Sequence, residues 1–358
     1  MGKNLLKLMA LILILHLVLA QSACRKRGID SPDEALPSAR AAKIALSLPE
    51  GSERWRETGE VVSRALKRER YSVDMRFAED LAAQFSQIEE MLNDGCDLLA
   101  VLPINAYAMG NVLEEAKQRG VPVVSCESLI MGTDAVSCFV AFDSAAAGRL
   151  QAQRFISELS LSSARRTFNI EIFPGDLEAE AESGVNYFNG LIAALEPYLD
   201  NNKVQIFSNQ TSIEQMSVSE ADPEAARRRM SDLVASCGYG TGKIPLDAIF
   251  CKNDVMARGA VQALVDVGYN KDDIPFVAGH GCDSENIVLM AQGLQTISLY
   301  NDADVFTEAL VKAIDGLLGD GIFEPDADVD IGEGTVPAFF CTPVIYDAGD
   351  YATLRAKK

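Results

Sequence analysis

The sequence predicts an α/β protein with two doubly wound parallel-sheet lobes. Apolar runs of strand length alternate with segments in which apolar residues recur at helical spacing. This alternation fills the first half of the chain and begins again after a short apolar run at 139–142. Such a rhythm favours parallel strands with helices on both faces of each sheet. Beyond the N-terminal segment, roughly 320 residues remain, which is enough for two domains.

Strands and helices alternate regularly in the first half. Ser52 is a suitable N-cap for the first helix, and Asp94-Gly95 and Gly120 are suitable ends for the next two. We predict strands at 43–48, 71–77, 98–102, 122–125 and 139–142, and helices at 52–67, 81–92 and 109–116.

The second half repeats the alternation. Pro223 directly follows Asp222, which places the proline at its favoured first helical position. We predict helices at 148–159, 182–199 and 254–267, another that begins at 222, and strands at 168–173, 204–207, 248–250 and 276–278. The two halves are of comparable length, and no short repeat of solenoid period is visible.

The N-terminus has the features of a secretion signal. Lys3 and Lys7 supply positive charge, an almost wholly apolar run follows at 8–20, and small residues then precede Cys24. The apolar run is shorter than the ~20 residues that a transmembrane helix needs.

A cysteine directly after a small residue indicates a lipoprotein. We predict a signal peptide at 1–23, lipidation of Cys24, and a polar, proline-bearing tether at 24–40 that leads to the folded domain. Ordinary cleavage near Ala23 is the alternative, because Gln21 stands where leucine is usual.

Charge and cysteine usage exclude several classes of partner. The net charge is −20, and −22 without the two signal lysines, whereas nucleic-acid binding requires a basic face. We expect no metal and no cofactor, because His280 is the only histidine outside the signal and no cysteines have Cys-x-x-Cys spacing. If Cys24 is lipidated, seven cysteines remain and cannot all pair, so we interpret most of them as buried thiols. One or two disulfides are the alternative in an exported protein.

Two doubly wound lobes predict a ligand site in a cleft. Ligands lie beyond the carboxyl ends of such strands, so the residues after each strand are the candidates. These segments are rich in carboxylates and amides, with one tryptophan: 50–55, 103–107, 127–128, 143–144, 174–186, 252–254, 280–283 and 301–302. Charged and amide groups bind sugar hydroxyls, and an aromatic ring covers the C–H face of a pyranose.

Several segments in this order and spacing resemble a known family. They are Gly51-Ser52-Glu53-Arg54-Trp55, Phe77-Ala78-Glu79-Asp80, Ala141-Phe142-Asp143, Phe168-Asn169-Ile170-Glu171-Ile172-Phe173, Tyr187-Phe188-Asn189-Gly190 and Val277-Ala278-Gly279. Over nearly the whole mature chain they resemble periplasmic sugar-binding proteins of ABC importers, of the multiple-sugar and xylose type. The resemblance implies the type I periplasmic-binding fold, in which three crossovers join two lobes that close on a monosaccharide. It also implies that the sugar is delivered to the membrane permease of an importer.

The resemblance further implies a division of the chain between the lobes. Residues 41–143 with 301–336 are expected in lobe 1, and residues 144–300 with 337–358 in lobe 2. Four pocket positions match the family: Arg54 as a hydroxyl donor, Trp55 as a stacking ring, and the aspartates Asp143 and Asp254.

Other pocket positions depart from the family. Ser128 follows Glu127 where the family has arginine, His280 stands at a glutamine position, and Asn301 replaces a lysine. Ligand identity is therefore not carried over. The expected ligand contacts are Arg54, Trp55, Glu127, Asp143, Asn186, Asp254, Asp283 and Asn301.

Each candidate also has a purely structural interpretation. Trp55 could belong to the core, Asp143 and Asp254 could cap the helices that follow them, and Glu127 could be a solvated loop charge. His280 is expected to be structural more often than a ligand contact.

Three functional classes follow. The first is a lipid-anchored transport receptor for a monosaccharide or a related polar solute, on the extracytoplasmic face of a bacterial membrane. The second is a sensor component for chemotaxis or signalling, or a same-fold receptor for a nucleoside or sugar acid. The third is a carboxylate-pair glycosidase using Glu127, Asp143 and Asp254, which the resemblance argues against. A transcription factor of this fold is excluded by the export signal and the missing basic head.

Overall fold

The structure, a computed structural model, describes residues 41–51, 53–176, 181–219, 221–319 and 321–357. Residues 42–358 form one compact unit. The predicted signal peptide, Cys24 and the tether lie outside the described residues, as does Ser52. In the part that is described, no helix combines the length and the hydropathy needed to cross a membrane.

Strands and helices alternate along most of the chain. Residues 41–143 form β1 (Lys43–Pro49), α1 (Glu53–Arg68), β2 (Ser72–Ala78), α2 (Leu81–Asn93), β3 (Leu98–Val101), α3 (Gly110–Gln118), β4 (Val123–Cys126) and β5 (Cys138–Phe142). Residues 144–300 form α4 (Ser144–Glu158), β6 (Phe168–Phe173), α5 (Ala181–Leu199), β7 (Val204–Ile206), α6 (Ile213–Met216), α7 (Pro223–Cys237), β8 (Ala248–Cys251), α8 (Asp254–Asp266), β9 (Phe276–His280), α9 (Ser284–Ala291) and β10 (Ile297–Tyr300). The remainder forms α10 (Ala303–Leu318), β11 (Ala327–Asp330), β12 (Thr335–Cys341), β13 (Val344–Asp347) and α11 (Tyr351–Lys357).

These strands build two sheets, and the predicted fold class is confirmed. The first sheet has the order β11-β12-β5-β4-β3-β1-β2, and the second has the order β13-β10-β9-β8-β6-β7. Only β11 and β13, at the edges, run antiparallel to their neighbours. We call the first sheet with its helices lobe 1, and the second sheet with its helices lobe 2. The chain crosses between them three times: after β5, after β10 and after β12.

The last crossover lies later in the chain than the sequence-based division placed it. Strand β12 pairs with β5 from Ala338 to Cys341, so it belongs to lobe 1 throughout. The division after residue 336 therefore cuts a strand, and the crossover is at 342–343. Within β12, Pro337 lies opposite Asp328 of the edge strand β11.

Close helix packing explains one segment of the family resemblance. Gly190 of α5 lies against the backbone of α4, and a Cβ atom there would come within 2.0 Å of the Ala145 carbonyl oxygen. Gly148 meets the α5 backbone in the same way. Glycine at both positions lets the two helices approach more closely than side chains would allow.

Six of the seven cysteines in the described part of the chain are buried, which agrees with the prediction that most of them are core residues. Cys126, Cys138 and Cys251 are buried in the strands of the two lobes, and all seven cysteines among the described residues are free thiols. Burial raises the pKa of each of these three thiols, so they remain protonated and act as small apolar side chains.

Candidate functional site

Most of the predicted ligand contacts lie at the carboxyl ends of strands from both sheets. In lobe 1, Arg54 follows β1 at the start of α1, and Glu127 follows β4. In lobe 2, Asp254 follows β8 and Asp283 follows β9. Both sheets thus direct polar side chains to one region, as the topology of doubly wound sheets requires.

Arg54 and Glu127 form an ion pair in lobe 1. Their Nη2 and Oε1 atoms are 3.2 Å apart, and the side chains are 48% and 14% exposed, respectively. The Glu127 backbone has φ of +61°, a left-handed conformation that few residues other than glycine adopt. The turn after β4 therefore holds this carboxylate towards α1 at a conformational cost.

Trp55 lies between the core and the site. Its indole ring is half-buried and packs against the lobe 1 core beside Phe306, while the Arg54 guanidinium lies 4.3 Å from the ring centroid. The core interpretation therefore describes the buried part of this side chain, and its stacking role in the pocket stays a prediction. The Arg54 guanidinium thus contacts both the Trp55 ring and the Glu127 carboxylate.

Asp143 occupies the first crossover. Its carboxylate accepts a hydrogen bond from Arg149 Nη2 at 2.8 Å and makes no side-chain cap to α4. Its backbone N–H donates to the carbonyl of Cys341 at 2.9 Å, which ties the first crossover to the third. The helix-cap interpretation of this side chain is wrong.

Asp254 is the centre of a buried network in lobe 2. The side chain is only 1% exposed, and its carboxylate accepts hydrogen bonds from Gln295 Nε2, Ser298 Oγ and the Asp283 backbone N–H at 2.9 to 3.0 Å. Burial raises its pKa to about 6. Asn253 caps α8 instead, with its side chain accepting from Met256 N–H, so the cap interpretation of Asp254 is also wrong.

Gly279 makes room for this carboxylate. A Cβ atom at that position would lie 2.0 Å from Asp254 Oδ1, which is far inside van der Waals contact. The Val277-Ala278-Gly279 segment of the resemblance thus has a packing reason: strand β9 must pass directly beside the buried aspartate.

The remaining lobe 2 candidates are more exposed. Asp283 precedes α9 with a side chain that is 39% exposed and lies 3.9 Å from Arg258. Asn186 is exposed on α5, and no hydrogen bond of its side chain is found within the described ranges. Asn186 is therefore the predicted contact for which the described residues supply no side-chain hydrogen-bond partner.

A histidine–asparagine pair completes the site. His280, the last residue of β9, shares a hydrogen bond of 2.8 Å between its Nε2 atom and Oδ1 of Asn301, in the second crossover. Burial lowers the pKa of His280 to about 4, and the positive charges of Arg54 and Lys252 act in the same direction. The imidazole is therefore neutral at pH 7.

Groups from both lobes converge on His280. Arg54 belongs to lobe 1, Lys252 follows β8 in lobe 2 and is 8% exposed, and Asn301 lies between the lobes. His280 and Lys252 lie in the predicted cleft segments, but the sequence gave no reason to name them as ligand contacts. Their position after a strand was the only available signal.

Charges at the site occur as pairs of opposite sign. Arg54 lies beside Glu127, Arg149 beside Asp143, and Arg258 beside Asp283 and Glu285. The first two pairs offer donors and acceptors next to one another without a net charge, whereas Arg258 lies beside two carboxylates. No group of three or more histidine, cysteine, aspartate or glutamate side chains suited to a metal ion is found in the described part of the chain.

The chain matches a family model described as a periplasmic binding protein domain over residues 44–321. The multiple sugar-binding periplasmic protein SbpA of Azospirillum brasilense is 29% identical over 313 residues, which cover 86% of each chain. The D-xylose-binding periplasmic protein of Escherichia coli is 28% identical over 312 residues, or 86% of this chain and 87% of that protein.

A solved structure extends the likeness to three dimensions. An ABC transporter solute-binding protein from Clostridium phytofermentans, determined with bound β-D-glucose, is 32% identical. It aligns with a TM-score of 0.70 over 87% of this chain and 96% of that chain.

Proposed function

This chain belongs to the periplasmic binding protein domain family, and we propose that it captures a monosaccharide between its lobes and delivers it to an ABC importer. Its relatives are sugar-binding periplasmic proteins of ABC importers, which bind solutes and are not enzymes. The predictions of that family and of a binding protein without catalysis are thereby confirmed. The periplasmic location of the relatives also supports an extracytoplasmic location.

The observation that carries the proposal is the set of paired charges at the strand ends. Sugar hydroxyl groups donate and accept at the same time, so a site for them needs both kinds of group within a few ångströms. Arg54 with Glu127 supplies this on lobe 1, and Asp143 with Arg149 supplies it at the first crossover.

The pairing also favours a neutral sugar over a sugar acid. A ligand carboxylate would have to displace Glu127 or Asp143 from its arginine partner, and the displaced carboxylate would then lose a charge-assisted hydrogen bond. A neutral polyol can instead bridge the two members of a pair. We therefore expect hexoses or pentoses to bind more tightly than the corresponding uronic or aldonic acids.

Closure of the two lobes would convert binding into a signal for the importer. A ligand that contacts Arg54 on lobe 1 and the His280 region on lobe 2 has more contacts in the closed state, and this difference in affinity drives closure. The Asp143–Cys341 hydrogen bond joins two crossovers and would make them bend together.

Membrane attachment through a lipid on Cys24 remains part of the proposal. It rests on the sequence of the signal segment alone. Metabolic labelling with a radioactive fatty acid would test it: labelling should be lost in Cys24→Ser, and an unlabelled wild-type chain would contradict the anchor.

A thermal-shift panel tests the binding function. The purified protein is melted alone and with hexoses, pentoses, disaccharides, sugar acids, polyols and nucleosides. A ligand at about 100 times its dissociation constant should stabilise the protein by ~2.7 kcal/mol, which is readily visible. A shift with a neutral monosaccharide supports the proposal. Shifts only with nucleosides or sugar acids would show a receptor of this fold with a different cargo.

A further inference from the structure

The pair formed by His280 and Asn301 has more hydrogen-bonding capacity than the residues described by the structure use. The 2.8 Å bond between His280 Nε2 and Asn301 Oδ1 does not involve the second ring nitrogen, Nδ1, or the amide nitrogen of Asn301. Both atoms can therefore form further hydrogen bonds. Neither of these two atoms has a partner among the residues that the structure describes.

The bond to Asn301 fixes the tautomer of the ring. An amide oxygen can only accept, so Nε2 must carry the proton and donate it. In a neutral imidazole the other nitrogen then has a free lone pair, and Nδ1 is an acceptor.

The surroundings keep the ring in this neutral state. Burial is the largest cause of the low pKa of His280, and Arg54 and Lys252 add unfavourable positive charge around an imidazolium. The ring is therefore near residues of both lobes, Arg54 and Lys252, and near Asn301 of the second crossover.

We propose that His280 selects the ligand: its Nδ1 atom accepts a hydrogen bond from one ligand hydroxyl group, and Asn301 positions the ring for that contact. The inference deepens the proposed function and depends on it, because it assumes a ligand with hydroxyl groups. The ligand class follows from the chemistry: a neutral polyol with a free hydroxyl at this position binds, and its deoxy or O-methyl derivative is rejected.

Two variants separate this role from a purely structural one. His280→Gln places an amide near Nε2, so it can keep the bond to Asn301 but lacks an acceptor at Nδ1. His280→Asn places an oxygen near Nδ1 but cannot reach Asn301. If His280 only supports the fold, glutamine should be the better replacement; if Nδ1 accepts from the ligand, asparagine should bind better.

Calorimetry with D-glucose and D-xylose measures the difference. We expect the sugar that wild type binds to lose about fivefold in affinity with His280→Gln, and less with His280→Asn. Gln292→Ala, at an exposed position after α9, is the matched control and should bind like wild type. Among monodeoxy derivatives of that sugar, one should bind wild type weakly and show no further loss with His280→Gln.

Nitrogen NMR of the histidine rings gives a second readout that needs no variant to bind. The chain has only two histidines, so the His280 signal is the one that disappears in His280→Gln. We expect a proton on Nε2 at pH 7 and a change of the Nδ1 resonance when the sugar is added. A proton on Nδ1, or equal affinity of wild type and His280→Gln, would overturn this inference alone. Failure of wild type to bind any sugar would overturn the proposed function and this inference together.

Discussion

The two lobes present their polar groups to the cleft in opposite ways. Lobe 1 offers Arg54, which is 48% exposed and held by one ion pair to Glu127. Lobe 2 offers Asp254, which is 1% exposed and accepts hydrogen bonds from three neighbouring groups.

This difference separates adaptable binding groups from fixed ones. An exposed ion pair in water contributes little to stability, so Arg54 can exchange Glu127 for a ligand hydroxyl at small cost. Asp254 cannot exchange its partners without leaving buried donors unsatisfied. We expect lobe 1 variants to change affinity, and variants of the lobe 2 network to change stability first.

The sharpest test of this comparison is Asp254→Ala. It leaves the Ser298 hydroxyl, the Gln295 amide and the Asp283 N–H without their acceptor, and should lower the free energy of unfolding by on the order of 3 kcal/mol. Urea denaturation monitored by circular dichroism measures this. Asp283→Ala, in the turn after β9 and with an exposed side chain, should cost under ~0.5 kcal/mol. Equal costs for the two variants would show that the network does not stabilise lobe 2.

The second test is Arg54→Ala, which should act on binding alone. Loss of a charged hydrogen-bond donor should weaken sugar binding by ~1.5–3 kcal/mol, with the melting temperature of the free protein nearly unchanged. Arg56→Ala is a close control. Arg56 lies on α1, as Arg54 does, and also forms a 3.2 Å ion pair, in its case with Glu50. If both arginine variants bind sugar equally well, Arg54 is not a ligand contact.

A smaller effect is expected at Trp55, whose ring packs against the lobe 1 core and is also proposed to stack on the ligand. Trp55→Phe should keep the packing and a stacking ring, whereas Trp55→Leu should lose roughly 1 kcal/mol of binding and a similar amount of stability. Calorimetry and thermal melting of both variants measure the two effects. Undiminished sugar affinity in Trp55→Leu would refute stacking and leave Trp55 as a core residue.

The fold was largely predictable because strands and helices both leave a pattern of apolar residues among neighbours in the sequence. Apolar runs and helical spacing in the sequence indicate β1 to β9, and the predicted bounds differ from the observed ones by only a few residues. No ranges were predicted for the strands after β9, and β11 gives the weakest signal among them, since its acidic segment is mostly exposed and carries no apolar run. The last crossover was misplaced because the lobe to which β12 belongs depends on its pairing with β5, a contact between residues far apart in the chain.

The site was predictable in position but not in arrangement. Residues after strands could be named from the sequence, yet the Arg54–Glu127 pair joins positions 73 residues apart. The burial of Asp254 depends on Gln295 and Ser298, which carry no motif. Tertiary contacts of this kind decide whether a cleft residue touches the ligand or supports a neighbour.

The smallest expected effect concerns pH, and it arises from two groups at neighbouring strand ends of lobe 2. The pKa of Asp254 is raised to about 6, so the folded state holds its proton more tightly than the unfolded state. Its contribution to stability is present below the unfolded value of 3.8 and is lost as pH rises through 6. The pKa of His280 is lowered to about 4, so its contribution is present above 6.5 and is lost as pH falls through 4.

These two contributions have opposite signs in the same pH range, so they nearly cancel in the wild-type protein. Each alone is on the order of 2 kcal/mol, and we expect their sum to change by less than ~1 kcal/mol between pH 4 and 6.5. Urea denaturation across that range should show that the stability of wild type relative to His280→Gln falls as the pH is lowered. Relative to Asp254→Asn, it should instead rise. If either difference is independent of pH, the group concerned titrates at its ordinary pKa. The lobe 2 strand ends would then be as open to water as those of lobe 1, and the contrast between the lobes would not hold.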